Sequence, residues 1–371
     1  MLTAIVNPYA SVDWGSAARI QGFSHFHLNP LDTNQAWTII YGEGIRHYAI
    51  SHYDLSSDRG INQPPIDEDV KHGSRPVYPA SDFPELGDVP VDALLAPNAE
   101  HFGHTDISYD WCSLGSTHST PGHNPTGTGS LQTWRQNMDS IISALLYPDG
   151  GGVVIAHNDD GEFIAHALDH DPRVLGMEIW NDKRARRLDY APGGGRYWST
   201  WDAVLSTGRR CWGFGAVDGT SWRERTYAGS DIMPPGPSLG RNVLLVDSFT
   251  EQNALEAYRK GAFYVQLDDA TETGLNILSY AYSDSVLSVE TAGATQIRWY
   301  TKNGLVRTSD GPNDSYAVGL DDVFVRAEVD ADGITDNSEG FDRIWLQPLF
   351  FVPTPVPLVR RSLMLLRKGV I

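Results

Sequence analysis

All twelve histidines of this 371-residue chain fall within its first 170 residues, and several stand at the ends of short apolar runs that read as strands. GFSHFH closes on His25 and His27, HYAISH on His52, LLAPNAE on Glu100, GGVVIAH on His157 and CWGFGAVD on Asp218, while VLGMEIW carries Glu178. Successive strand side chains point to opposite faces, so His25 and His27, two apart, project the same way and can reach one ion. In barrels of parallel strands and helices the chemistry gathers at the carboxyl ends of the strands, where residues distant in sequence converge. Imidazole with carboxylate suits Zn, Fe or Mn, and cysteine has no part in this set. The pattern is that of a metal site on a barrel rim.

Composition removes several alternatives. With 28 basic and 47 acidic side chains the formal charge is −19, which repels nucleic acid and argues against a phosphate-backbone binder. A locally positive metal pocket still admits an anionic substrate. A hydrophobic content of 41% is ample for a core, and the length implies two folded domains. Cys112 and Cys211 are too few for a disulfide framework, and the sequence leaves a single bridge open. The start carries no basic segment followed by an apolar one, and no run of about 18 apolar residues occurs. The expectation is a soluble protein without signal peptide, transmembrane segment or membrane partner, cytoplasmic or part of a viral particle.

Residues 1–19 read as an N-terminal arm. From 20 to 232 apolar runs alternate with amphipathic stretches, as repeated strand and helix units do. Leu131, Trp134, Met138, Ile141, Ile142 and Leu145 recur at helical spacing, a core-facing stripe, and Tyr197 to Leu205 reads as another helix. GSTHSTPGHNPTGTGS (115–130) is a turn-rich loop near the expected rim. MPPGPSLG (233–240) opens a third region, to 353, in which Thr250 caps a helix that Gly261 stops. Short alternating runs separated by Gly, Asn and Asp turns follow, as in an antiparallel β-sandwich. Residues 354–371 pair a Pro-rich spacer with a basic, apolar tail, a candidate contact for a protein partner.

Taken in order, these residues resemble the PHP-type (polymerase and histidinol phosphatase) metal-dependent phosphoesterases. The resemblance is carried by the HxH opening (His25, His27), ISHYD, GGVVIAHN, MEIWN and WDAVLSTGRRCWGFGAVDGT. NVLLVDSFTEQNALEAYRKGAFYV, VFVRAEVD and IWLQPLFF extend it, so that it covers about residues 20 to 353. It implies an α/β chain with a distorted (β/α)7 TIM-like barrel, followed by a small antiparallel β-sandwich. It further implies two or three divalent metals held by His25, His27, His52, Glu100, His157 and Asp218, with Glu100 as the bridge. His104 in EHFGH is a further ligand by the same resemblance, with His101 and His123 competing for that place. Catalysis would rest on Glu100, His157 and Asp218, the substrate being a small phosphorylated molecule hydrolysed by a metal-activated water.

Two departures bear on this. Ser51 stands where the family has an aspartate before its second-motif histidine, and Thr220 where a histidine is expected two residues after Asp218. A hydroxyl is a poor divalent-metal ligand, so at least one position is weakened and the count becomes one to three Zn, Mn or Fe ions. Glu178 reads as a supporting or structural residue. Arg209, Arg210, Arg184, Arg186 and Lys183 are candidates to neutralise phosphate, though each taken singly reads as solvated surface charge. His47, His72, His118, His166 and His170 take surface or packing roles. Ser51, Thr220 and the apolar tail also fit a second class: a catalytically weakened barrel serving as a structural or interaction component of a larger assembly such as a virus or phage particle. Hydrolysis of an amide on the same centre is a third. DADGITDNSEGFD, with Asp330, Asp332 and Asp336, looks like a calcium loop but lacks its full pattern, so a polar hairpin turn is the better reading.

Overall fold

The computed structural model describes residues 2–27, 41–42, 44–53, 74–82, 88–101, 104, 106–107, 109–118, 132–182, 195–218, 240–267, 274–331 and 342–353. Three sheets organise them. In the largest, β2 (Ala18–His27) lies between β3 (Ile45–Tyr53), parallel to it, and β11 (Arg241–Val246), antiparallel to it. β3 also carries β4 (Ser74–Pro76) antiparallel and β5 (Leu94–Pro97) parallel. Beyond β11 the sheet continues antiparallel through β12 (Phe263–Leu267), β19 (Arg343–Leu346), β18 (Phe324–Asp330), β20 (Leu349–Pro353) and β1 (Leu2–Val6). β15 (Gln296–Thr301) pairs with β18 and with β16 (Gly304–Asp310).

The second sheet has the order β10 (Trp212–Ala216), β9 (Val174–Asn181), β8 (Gly152–Ile155), β7 (Trp111–Leu114), β6 (Glu100–His101). β8, β9 and β10 are parallel, whereas β7 runs against β8 and β6 against β7. Buried on both faces, these strands read as continuous apolar runs rather than alternating ones. Strand β9 lies so close to β10 that a Cβ at Gly176 would sit 1.9 Å from the Trp212 carbonyl oxygen, so only glycine fits. The third sheet, β13 (Asn276–Ser283), β14 (Val286–Ala292) and β17 (Asn313–Ala317), turns Ile277, Tyr280, Leu287 and Val289 into a core shared with Trp299, Val325, Ala327 and Val329 of the largest sheet.

The expected distorted (β/α)7 barrel with a following sandwich is not what forms. Strand dominates, and the described residues hold four α-helices: α1 (Trp134–Ser143), α2 (Gly161–His170), α3 (Trp198–Ser206) and α4 (Glu251–Lys260). The parallel strands are divided between two sheets, and no ladder joins them into a ring among the described residues. Where β10 would pair with the next barrel strand, two buried side-chain amides take over. Asn242 accepts from the Gly215 N–H at 2.9 Å and donates to its carbonyl at 2.8 Å, while Gln347 does the same for Gly213 at 2.9 and 2.7 Å. Both backbone groups of each glycine are satisfied, so the β10 edge needs no partner strand there. Of the strands expected to form the sandwich, β15, β18, β19 and β20 instead extend the sheet that holds β2, while β13 and β14 pair in the third sheet packed against it.

Helical expectations fare better. Trp134, Met138, Ile141 and Ile142 are the buried stripe of α1, capped by Thr133 and Gln136 in a reciprocal box. α3 begins after Tyr197. α4 has Thr250 at its N-cap and Gly261 at φ +75° at its end, a left-handed turn that glycine adopts without strain.

Candidate metal centre

The end of β2 meets the ends of β8 and β10. The N–H groups of Val217 and Asp218 donate to the His25 carbonyl at 3.3 Å, tying the two sheets together where the ionisable side chains gather. His157 and Asp218, each just past its strand, hold φ values of +29° and +44°. Non-glycine residues in this region are strained and persist where the surroundings over-determine them. Glu178 supplies part of that constraint by accepting the His157 N–H at 2.9 Å.

Four side chains converge. His25, His27, Glu100 and Asp218 are buried, with one donor atom of each within 4.8 Å of the others. Glu100 faces two ways, its Oε2 lying 3.0 Å from His27 Nε2 and its Oε1 3.0 Å from His157 Nε2. Asp218 Oδ1 is 3.7 Å from His25 Nε2 and its Oδ2 3.8 Å from His157 Nε2. A second group joins Glu100 and His157 to Asp110, whose Oδ2 lies 3.7 Å from His157 Nε2.

The outer partners decide how the rings are used. His25 Nδ1 donates to Glu178 at 2.7 Å, and His27 Nδ1 donates to the Ser51 carbonyl at 3.1 Å, an acceptor only. Both Nε2 atoms then turn lone pairs toward each other at 3.0 Å. Two lone pairs at that distance repel unless a cation lies between them, either a proton or a metal. Carboxylate or carbonyl behind a histidine, with Nε2 directed into the site, is the support that metal-ligating histidines use. The donor set therefore fits a divalent ion. Asn181 completes the shell, donating to Glu178 at 2.8 Å and to Asp218 at 3.1 Å.

Electrostatics follow the same logic. Burial pushes the Glu100 carboxyl up, but His25, His157 and His27 outweigh it and hold it well below the usual carboxylate range. Burial opposes protonation of His25, yet the carboxylates of Glu100, Glu178 and Asp218 raise it well above an ordinary histidine. His157 is raised as well: burial again opposes, and its hydrogen bond to Glu100 and the nearby Asp218 prevail. In the absence of metal, protonated rings balance these carboxylates, so binding an ion releases protons.

Sequence and structure can now be compared residue by residue. His25, His27, Glu100, His157 and Asp218 are brought together. His52 lies on β3 with its backbone paired to Arg75, and its side chain falls outside the described residues, as do His123 and Thr220. His104 stacks on Trp111 at 3.8 Å between ring centres and belongs to neither cluster. His101 is buried beside Asn137 and His118. His47 is buried against Tyr258, His166 is exposed and His170 bonds Asp139. Arg209 pairs with Asp169 and Arg210 donates to the Pro172 carbonyl, so neither reaches the centre; Lys183, Arg184, Arg186 and His72 lie outside the described residues.

Other expectations need correction or refinement. Ser51, a lost ligand by the family pattern, contributes through its backbone carbonyl. Cysteine does enter the surroundings: Cys112 sits beside His25 and Glu178, but burial pushes its thiol up to about 12, which keeps it protonated. Both cysteines are free. Asp330 is engaged by Arg298 and Arg343, and Asp332 and Asp336 lie outside the described residues. Asp110 escaped sequence reasoning because it precedes a strand. β7 is antiparallel to β8, so the start of β7 lies at the same sheet edge as the end of β8, and Ala156 N–H donates to the Asp110 carbonyl at 3.0 Å.

No protein-family model and no curated protein matches the chain. Among solved structures it is similar to a two-domain protein from Bacteroides vulgatus containing a predicted PHP-like metal-dependent phosphoesterase. The TM-score is 0.42 and the identity 9%, over 93% of this chain and 90% of that one. No helix among the described residues is long and apolar enough to cross a membrane.

Proposed function

We propose that this chain is a divalent-metal-dependent hydrolase acting on a phosphate ester. The observation that carries the reading is the pair of histidines locked through Nδ1, with both Nε2 atoms directed at Glu100 and Asp218. Support for phosphate as the bond attacked comes from the order of motifs from His25 to Asp218, which resembles that of the PHP phosphoesterases. Bound ions would supply Lewis-acid charge, lowering the pKa of a coordinated water and neutralising phosphate oxygens.

The chain's own residues do the rest. His25, His27, Glu100 and Asp218 would hold one ion, and Glu100 with His157 would take part in holding a second. Glu178 and the Ser51 carbonyl keep the rings from rotating, Asn181 steadies two carboxylates, and burial of the four side chains keeps bulk water from screening them.

The test is elemental analysis of the purified full chain, then an assay with p-nitrophenyl phosphate and its diester under added Mn²⁺ or Zn²⁺. Bound metal, with turnover that falls to background in His157→Ala, is expected. Bound metal without turnover on any phosphate ester, or no metal at all, would overturn the enzymatic reading and leave the structural component of a larger assembly.

A further inference from the structure

The two donor groups around Glu100 differ in chemistry. The first, His25, His27, Glu100 and Asp218, offers two imidazoles and two carboxylates, all four buried. The second, Glu100, Asp110 and His157, offers one imidazole and two carboxylates at a more open position, where the Asp110 side chain is 20% exposed. Glu100 Oε2 lies 3.0 Å from His27 in the first group, while Oε1 stands between His157 in the second group at 3.0 Å and His25 at 3.6 Å. Imidazole-rich sets favour Zn and Fe, whereas carboxylate and water favour Mn and Mg. Four buried ligands can close a coordination sphere, while three leave positions for water or substrate.

We propose that Asp110 completes a second cation position with Glu100 and His157, and that its carboxylate shifts this position toward hard, oxygen-preferring divalent ions such as Mn²⁺ relative to the buried position. The inference rests on the metal-hydrolase reading and goes beyond it, because His104, the ligand that the sequence resemblance supplied, is stacked on Trp111 instead. The position is built from opposite strand ends: Asp110 enters at the start of β7 and His157 at the end of β8, their segments tied by the Ala156–Asp110 backbone bond. Loading is therefore sequential. The buried position fills first, and the Asp110 position fills at higher concentration, with a smaller preference for Zn²⁺ over Mn²⁺ than the buried position has.

The full chain, stripped with chelator, is titrated with Mn²⁺ alone and with Zn²⁺ alone. Bound ions are counted after equilibrium dialysis, and Mn²⁺ is followed by electron paramagnetic resonance, which distinguishes an isolated ion from a spin-coupled pair. Two Mn²⁺ per chain with a coupled signal are expected. Asp110→Ala and the gentler Asp110→Asn should retain one ion at unchanged affinity and lose the coupled signal. Asp110→His should restore the second ion while shifting its preference toward Zn²⁺ by at least about tenfold. Two ions of unchanged affinity in both Asp110→Ala and Asp110→Asn, or a single ion in the unmodified chain, would overturn this inference alone. An unmodified chain that binds no ion would overturn the hydrolase reading along with it.

Discussion

The molecule buries two clusters of charge, and they are balanced by different means. In the C-terminal strands, Arg326 is fully buried and donates to Asp202 twice and to Glu328 once, each at 2.7 Å. Its guanidinium also faces the rings of Tyr300 and Trp201 at 4.2 and 4.8 Å. Arg298 and Arg343 close on Asp330, so three guanidinium groups meet three carboxylates. Burial pushes Glu328 up, but Arg326, Arg343 and Arg298 outweigh it and hold its carboxyl down. At the candidate metal centre the carboxylates of Glu100, Glu178, Asp218 and Asp110 face His25, His27 and His157 instead. Arginine is charged at every accessible pH, so its cluster is complete as folded. A histidine's charge is conditional, and a cluster balanced by histidine can exchange protons for another cation. The identity of the balancing cation separates a clamp from a site.

The largest effect that would break this contrast is on the arginine side. Arg326→Met should cost about 3 to 5 kcal/mol, because it leaves Asp202 and Glu328 without their buried partner. Urea denaturation of the metal-free chain measures it, and metal stoichiometry in the folded fraction should not change. A loss of bound metal in this variant would dissolve the distinction between the two clusters. Glu178→Gln probes the other side. It should weaken metal binding by about 10- to 100-fold, the range for removing the outer partner of a ligating histidine. Its effect on the metal-free denaturation midpoint should be smaller than that of Arg326→Met, and the opposite ranking would make Glu178 a structural residue.

The smallest effect sharpens the contrast between histidines. Burial holds His47 near 3 and His104 near 4 in the fold, whereas both titrate near 6.5 when unfolded. Between pH 6.5 and 4 the unfolded chain therefore binds more protons than the folded one. Stability should fall as pH drops through that window, by up to about 1.4 kcal/mol per pH unit for each ring. His47→Leu should flatten the dependence, read from urea midpoints at pH 7 and pH 5. Equal slopes in the two proteins would mean that His47 accepts its proton in the folded state.

Much of the local structure was legible before folding was considered. The stripe from Trp134 to Ile142 and the caps of α4 at Thr250 and Gly261 depend on neighbours a few residues away, and sequence spacing records those directly. The strand ends bearing His25, His27, Glu100, His157 and Asp218 could be picked out because an apolar run that stops on an ionisable residue is a local signal. The barrel was not legible, since the evidence for it was alternation of strands and helices, and alternation does not say which edges pair. Asn242 and Gln347 could not be recognised as substitutes for a strand, because their glycine partners are 27 and 134 residues distant.

By itself, then, the sequence determined the types of ligand atom available and the strand-end positions they occupy, because period-two alternation and local apolar runs are properties of neighbouring residues. Only the tertiary structure decided which of those atoms are brought close enough to share a cation. Asp110 joins because β7 is reversed, His104 is removed by stacking on Trp111, and Ser51 takes part through a carbonyl that any residue would have supplied. Strand direction, ring stacking and backbone position are set by long-range pairing, and that is the information a linear pattern does not carry.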